Sequence, residues 1–182
     1  FMLTNPSTCG LFEDEILEQA RAVHEAGAFF YCDGANFNAI AGRVRPGDLG
    51  IDCMHINLHK TFSTPHGGGG PGSGPVVLSE ELARHAPVPW LVHGPDGFDL
   101  REQADGEAAL TIGRLKAFHG QFGMFVRALA FMLSHGADGL RQASEDAVLS
   151  ANYIRARLQD VMSLPFEGPC MHEVLFDDTF LK

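Results

Sequence analysis

The sequence predicts an α/β fold on a largely parallel sheet, and three observations carry that prediction. Short apolar runs alternate with segments of helical period. The runs are apolar on successive positions, as in strands covered on both faces. A chemically loaded residue (Asn5, Asp33 or Lys60) directly follows each of three such runs. In an open α/β sheet, ligands gather outside the carboxyl ends of the strands.

The elements follow in order. Phe1 to Leu3 reads as strand. Glu13 to Ala26 reads as helix, with Ile16, Leu17, Ala20 and Val23 on one face, acids in the first turn and Gly27 as the stop. Phe29 to Cys32 is a buried strand ending at Asp33. Cys53 to Ile56 is the next strand, within an apolar stretch from Ile51 to Leu58, and Pro75 to Leu78 is another. Glu80 to His85 is a short helix, and Ala86 to Arg101, rich in Pro and Gly, reads as loop. Gln121 to His135 is apolar nearly all round and is expected to be a buried core helix. Asp138 to Val161 is amphipathic through Leu140, Ala143, Ala147, Ala151, Ile154 and Leu158. Met171 to Phe176 reads as a strand opening a new layer.

Composition sets the limits. A length of 182 residues with 45% hydrophobic content suits one domain with a buried core. The formal charge of −10, with no run of Lys or Arg, argues against nucleic acid and anionic membrane as partners. The apolar stretch around Gln121 to Leu133 carries Arg127 and is too short for a membrane span, which needs about 20 residues. Four scattered cysteines (Cys9, Cys32, Cys53, Cys170) form no C-x-x-C pair, and no secretory signal opens the chain, so a cytosolic, reducing compartment is expected.

Lys60 is the most informative residue. The chain has only three lysines, Lys60, Lys116 and Lys182, and otherwise uses arginine. A lysine at the end of a buried strand, among His and Gly, is placed to act as an amine nucleophile for a Schiff base; a lysine capping a strand end is the plainer alternative. Asn5, Asp33 and Lys60 stand 28 and 27 residues apart, long enough for crossover or extended loop connections, so all three can converge on one crevice. An Asp before a Gly is also a common turn former. His55, His59 and His66 invite a zinc reading, but H-x-x-x-H presents one face only on a helix, and strand and loop are expected here; no metal site is assigned. Gly67, Gly69 and Gly72 form an incidental G-x-G-x-x-G that a strand rather than a helix follows, so the run reads as a flexible turn allowing close backbone approach.

Three segments carry a family resemblance: His59-Lys60-Thr61 with the Gly67 to Gly74 run, Tyr31-Cys32-Asp33-Gly34-Ala35-Asn36, and Leu3-Thr4-Asn5-Pro6-Ser7-Thr8. Together they resemble the pyridoxal-phosphate half, or subunit 2, of glycine decarboxylase, the P-protein of the glycine cleavage system. The likeness runs from Phe1 to about Phe176. It implies an aminotransferase-like (fold type I) architecture. Residues 1–165 would be a large domain incomplete at its start, and residues 166–182 the beginning of a small C-terminal domain. Family members are longer on both sides, and the upstream part would carry much of the phosphate cradle.

The resemblance also implies roles. Lys60 would hold pyridoxal 5'-phosphate, and Asp33 would keep the pyridine nitrogen protonated. Asn36 would bond the ring phenolate oxygen, or else cap the next turn. His59 would contact the phosphate, or else bond a backbone carbonyl. Asn5 and Thr8 would lie on the cofactor side. The implied reaction is decarboxylation of glycine with transfer of the aminomethyl group to the lipoyl arm of the H-protein, in a homodimer or a heterotetramer with a sister subunit. Another pyridoxal-phosphate enzyme of this fold (amino-acid decarboxylase, aminotransferase or hydroxymethyltransferase) and an inactive, non-catalytic piece remain open. Arg114 and His119 lie in a segment similar to the family and take no assigned role.

Overall fold

The computed structural model describes residues 1–66, 69–70, 72–102 and 110–181. Gly67, Gly68 and Pro71 of the expected glycine turn lie outside the described residues.

The fold is α/β with a mostly parallel sheet. Strands β1 (Met2–Thr4), β2 (Tyr31–Gly34) and β3 (Cys53–Ile56) run parallel in that spatial order, and β4 (Val76–Leu78) joins β3 antiparallel. Helix α1 (Ile16–Glu25) connects β1 to β2. Its Ile16 and Ala20 lie one turn apart and are buried against fully buried Phe30, with Leu3, Val23, Leu49 and Ile51 packed around them. Burial of a side chain such as Phe30 is worth roughly 1.5–3 kcal/mol. Leu17, expected on the same face, is 59% exposed, because one residue along a helix turns about 100° away from its neighbour. The one-turn helix α2 (Leu58–Thr61) follows β3. After β4, the Ser79 hydroxyl accepts from Leu82 N–H and starts the one-turn helix α3 (Glu80–Ala83).

Three expectations are corrected. The segment expected as loop after Ala86 contains a β-hairpin, β5 (Trp90–Gly94) paired with β6 (Gly97–Arg101). Its prolines sit at the turn and before the first strand, where no ladder hydrogen bond is lost. Met171 to Phe176 forms no strand. Its Met171 N–H donates to the Gly10 carbonyl at 2.7 Å, and residues 163 and 177 meet only in an isolated bridge.

The third concerns helix α4 (Phe122–Leu158), which breaks at Gly136 (φ 64°, ψ −177°) into the two arms expected from sequence. Its first arm is not a core helix. Ala128 is buried, but Phe122 and Leu133 are each 74% exposed and Leu129 is 51% exposed. Among the described residues this arm meets little more than α2, which covers one narrow stripe. Among the described residues no helix is long and apolar enough to cross a membrane.

Candidate active site

The carboxyl ends of the three parallel strands lie side by side. The chain leaves β1 through Asn5 and Pro6, leaves β2 after Asp33 and Gly34, and leaves β3 through Asn57 into α2. Lys60 therefore sits on a one-turn helix after the strand, exposed, rather than at a buried strand end. For the same reason His59 is not on extended chain, as the sequence reading has it. Phe37 N–H donates to the Thr61 hydroxyl at 2.9 Å and ties the turn after β2 to α2.

One cleft collects Lys60, Asp33, Asn36 and Thr8, together with Ser7, His172 and Glu173. Roomier open concavities near His24, Gly47 and Gly50 contain none of the candidate residues. Converging chemistry, not size, marks the smaller cleft. Asp33 Oδ1 accepts from Ala35 N–H at 3.0 Å and faces His55 Nε2 at 3.3 Å. Asn36 Oδ1 accepts from Asn38 N–H at 3.1 Å, which is its turn-capping use, while its amide nitrogen donates to Glu173 at 3.4 Å.

Two candidates lie off the cleft surface. Asn5 is buried, its Oδ1 accepts from Glu13 N–H at 2.9 Å, and its Nδ2 has no partner among the described residues. His59 packs edge-on against His66, with ring centroids 4.3 Å apart, and its buried Nδ1 has no hydrogen-bond partner among the described residues. Burial first, then the nearby charges of His66 and Lys60, hold its imidazole below the usual range. Of the described glycines of the turn, Gly72 and Gly74 allow close approach, but to the chain itself, whereas Gly69 and Gly70 face open space. A Cβ on Gly74 would lie 1.7 Å from the Ile56 carbonyl oxygen. Arg114 pairs with Glu102 and His119 is exposed, both away from the cleft. Among the described residues no His, Cys, Asp and Glu group is arranged to hold a metal. All four cysteines are free, and burial raises the thiols of Cys32, Cys53 and Cys170.

The sequence reading missed His172 and Glu173. The segment that carries them is clamped from two sides. Asn152 accepts from Cys170 N–H at 3.1 Å and donates to its carbonyl at 2.5 Å. Gly10 (φ 79°) lets the Glu173 carbonyl approach so closely that a Cβ there would lie 1.9 Å from its oxygen. His172 has a side chain only 4% exposed, and neither ring nitrogen has a hydrogen-bond partner among the described residues. Burial lowers its pKa, opposed by the Glu173 charge 3.7 Å away. A dipeptide lying 112 residues beyond Lys60 carries no local signal of this proximity.

The α/β sheet and its crossover have the fold of the fold type I pyridoxal-phosphate enzymes. A crystal structure of glycine decarboxylase (P-protein) of the glycine cleavage system, in inhibitor-bound form, matches 93% of the chain and 40% of its own length at TM-score 0.73 and 24% identity. Pyridoxamine-pyruvate aminotransferase from Mesorhizobium loti matches 94% of the chain and 42% of its own at TM-score 0.57 and 17% identity. These likenesses show the fold.

The sequence is closer to curated relatives. The chain is 72% identical over its whole length to glycine dehydrogenase (decarboxylating) subunit 2 of Caulobacter vibrioides, and 55% identical to that of Oceanobacillus iheyensis. It spans 35% and 36% of those relatives' lengths, about a third. No family model matches it.

Proposed function

We propose that this chain is the cofactor-bearing segment of an enzyme that decarboxylates glycine and passes the remaining aminomethyl group to the lipoyl arm of an H-protein. The carrying observation is that the Lys60 amine and the Asp33 carboxylate line the same cleft. The name shared by the 50–72% identical relatives supports the substrate and a sister subunit. Assembly as a heterotetramer or homodimer in the cytoplasm, and a large domain over 1–165 with a small one beginning at 166, belong to the same proposal.

The donor set fits pyridoxal 5'-phosphate. The cleft offers one primary amine, suited to an aldehyde, and one carboxylate, suited to a protonated ring nitrogen. Lys60 would hold the aldehyde carbon and Asp33 the ring nitrogen. Asn36 and Thr8 stand in the same cleft as hydrogen-bonding side chains for the ring oxygen and its surroundings, while Asn5 and His59 would support the site from behind. The bound cofactor supplies an electron sink when the bond from the glycine α-carbon to its carboxylate breaks and carbon dioxide leaves. Asp33 would hold a proton on the ring nitrogen and so keep the sink effective. Lys60, once the substrate amine had taken its place, would stand as a base in the cleft. The α-carbon left after loss of carbon dioxide would form a bond to one lipoyl sulfur as the S–S bond breaks, and the second sulfur would leave as a thiolate.

The test is Lys60→Ala in the full-length protein, read by exchange of labelled carbon dioxide with the glycine carboxylate. Exchange should disappear, with the visible absorbance of bound cofactor. Retained exchange rejects the reading.

A further inference from the structure

A second set of side chains touches the site from within the sheet. Tyr31 and Asp33 are two residues apart on β2 and so project from the same face. His55 on β3 is the register partner of Asp33. The Tyr31 hydroxyl lies 2.5 Å from His55 Nδ1, and His55 Nε2 lies 3.3 Å from Asp33 Oδ1. The Tyr31 and His55 rings overlap at a centroid distance of 5.8 Å.

We infer that Tyr31 and His55 form a positioning relay that fixes the Asp33 carboxylate and directs it toward the cofactor ring nitrogen. This inference rests on the pyridoxal-phosphate reading of the cleft. A neutral imidazole has one donor and one acceptor nitrogen. When the Tyr31 hydroxyl donates to Nδ1, the proton must sit on Nε2, where it is donated to Asp33 Oδ1. Burial first, then the charges of Cys53, Asp33 and Cys32, push the Tyr31 phenol up, so it keeps the proton it donates.

Asp33 Oδ1 then receives two donors, the Ala35 N–H and His55 Nε2–H. Among the described residues no hydrogen bond engages Oδ2. One oxygen is held by the protein and the other is left for the ligand. The side chain of Asp33 is 39% exposed, so without the relay it would sample several rotamers and share its charge with water. A donor that is neutral pins the carboxylate without cancelling its charge. An arginine or lysine in the same place would draw that charge away from the ring.

The test uses the full-length protein and pyridoxal phosphate labelled with 15N in the ring. Two quantities are read: the ring-nitrogen chemical shift of the bound cofactor, which reports its protonation, and the cofactor dissociation constant. His55→Leu should move the shift toward unprotonated pyridine and weaken binding roughly tenfold, the scale of one hydrogen bond to a charged group. His55→Gln should restore both, because its amide oxygen accepts from Tyr31 and its NH2 donates to Asp33. Tyr31→Phe should move the shift in the same direction by less.

An unchanged shift in a folded, cofactor-loaded His55→Leu protein overturns the relay. So does a Gln variant that behaves like Leu, which keeps the test decisive if the Leu variant fails to fold. Failure of the unmutated protein to bind the cofactor at all would instead overturn the proposed function, a separate result.

Discussion

The long helix α4 is more apolar in sequence than the sheet region, residues 1–80, yet the sheet region holds most of the buried apolar side chains. In the sheet region Ile16, Ala20, Phe30, Cys32, Met54 and Leu58 are all buried, although Met2, Val76 and Val77 at its edges are not. Along α4 only Ala128, Ser144 and Ala151 are buried, while Phe122, Leu133, Leu149 and Tyr153 are each more than 60% exposed. An apolar pattern states that an element needs a cover; it does not state where the cover lies. The sheet region supplies its own, through α1 and the neighbouring strands. For α4 the described residues supply a cover on one stripe only.

The sharpest way to break this contrast is to measure both regions in the complete protein. Phe30→Ala should cost about 3–5 kcal/mol, since it empties a fully buried site. Leu133→Ala should cost roughly 2 kcal/mol or more there, because soluble proteins seldom leave contiguous apolar faces of this extent open. Chemical denaturation of both variants checks this. A cost under about 0.5 kcal/mol for Leu133→Ala would mean the face is solvated, and the contrast between the regions would be permanent.

A smaller effect tests what holds His172 and Glu173 over the cleft. Gly10→Ala places a Cβ on the Glu173 carbonyl, at a positive φ that side chains other than glycine's tolerate poorly. Strain and overpacking together should destabilise the protein by roughly 2–3 kcal/mol. The same change should weaken cofactor binding, whereas a Gly27→Ala control, also at positive φ but with open space around it, should lose stability alone. Equal cofactor affinity in the two variants would separate the 170–173 segment from the site.

What the sequence made legible follows the range of the interactions. Strands β1 to β3, helix α1 and the loaded residues at the strand ends could be read because apolar runs and their stops are local. The β5–β6 hairpin is also written locally, in the strand-prone run Trp90-Leu91-Val92 and the Asp96-Gly97 turn, but the surrounding prolines outweigh it. The one-turn helix that carries Lys60 left no periodic signal, being too short for one. His55, to which the sequence reading assigns neither a metal nor another role, is the register partner of Asp33, which only strand pairing reveals. His172 and Glu173 could not be placed, since Gly10 and Asn152 position them from far along the chain.

The smallest effect concerns protons at and behind the cleft. His172 and His59 both have imidazoles held below their ordinary range, in each case chiefly by burial. In the unfolded chain an imidazole takes up a proton near pH 6.5. A group whose folded pKa is depressed in this way is neutral in both states at high pH and contributes no penalty there. As pH falls below about 6.5 the unfolded chain binds the proton first, so stability drops, and it stops dropping once the folded group protonates. His172→Leu should therefore flatten the acid limb of a stability–pH profile below about pH 6.5 more than it alters the neutral plateau. An acid limb that keeps its full slope in that variant would place the titrating group elsewhere.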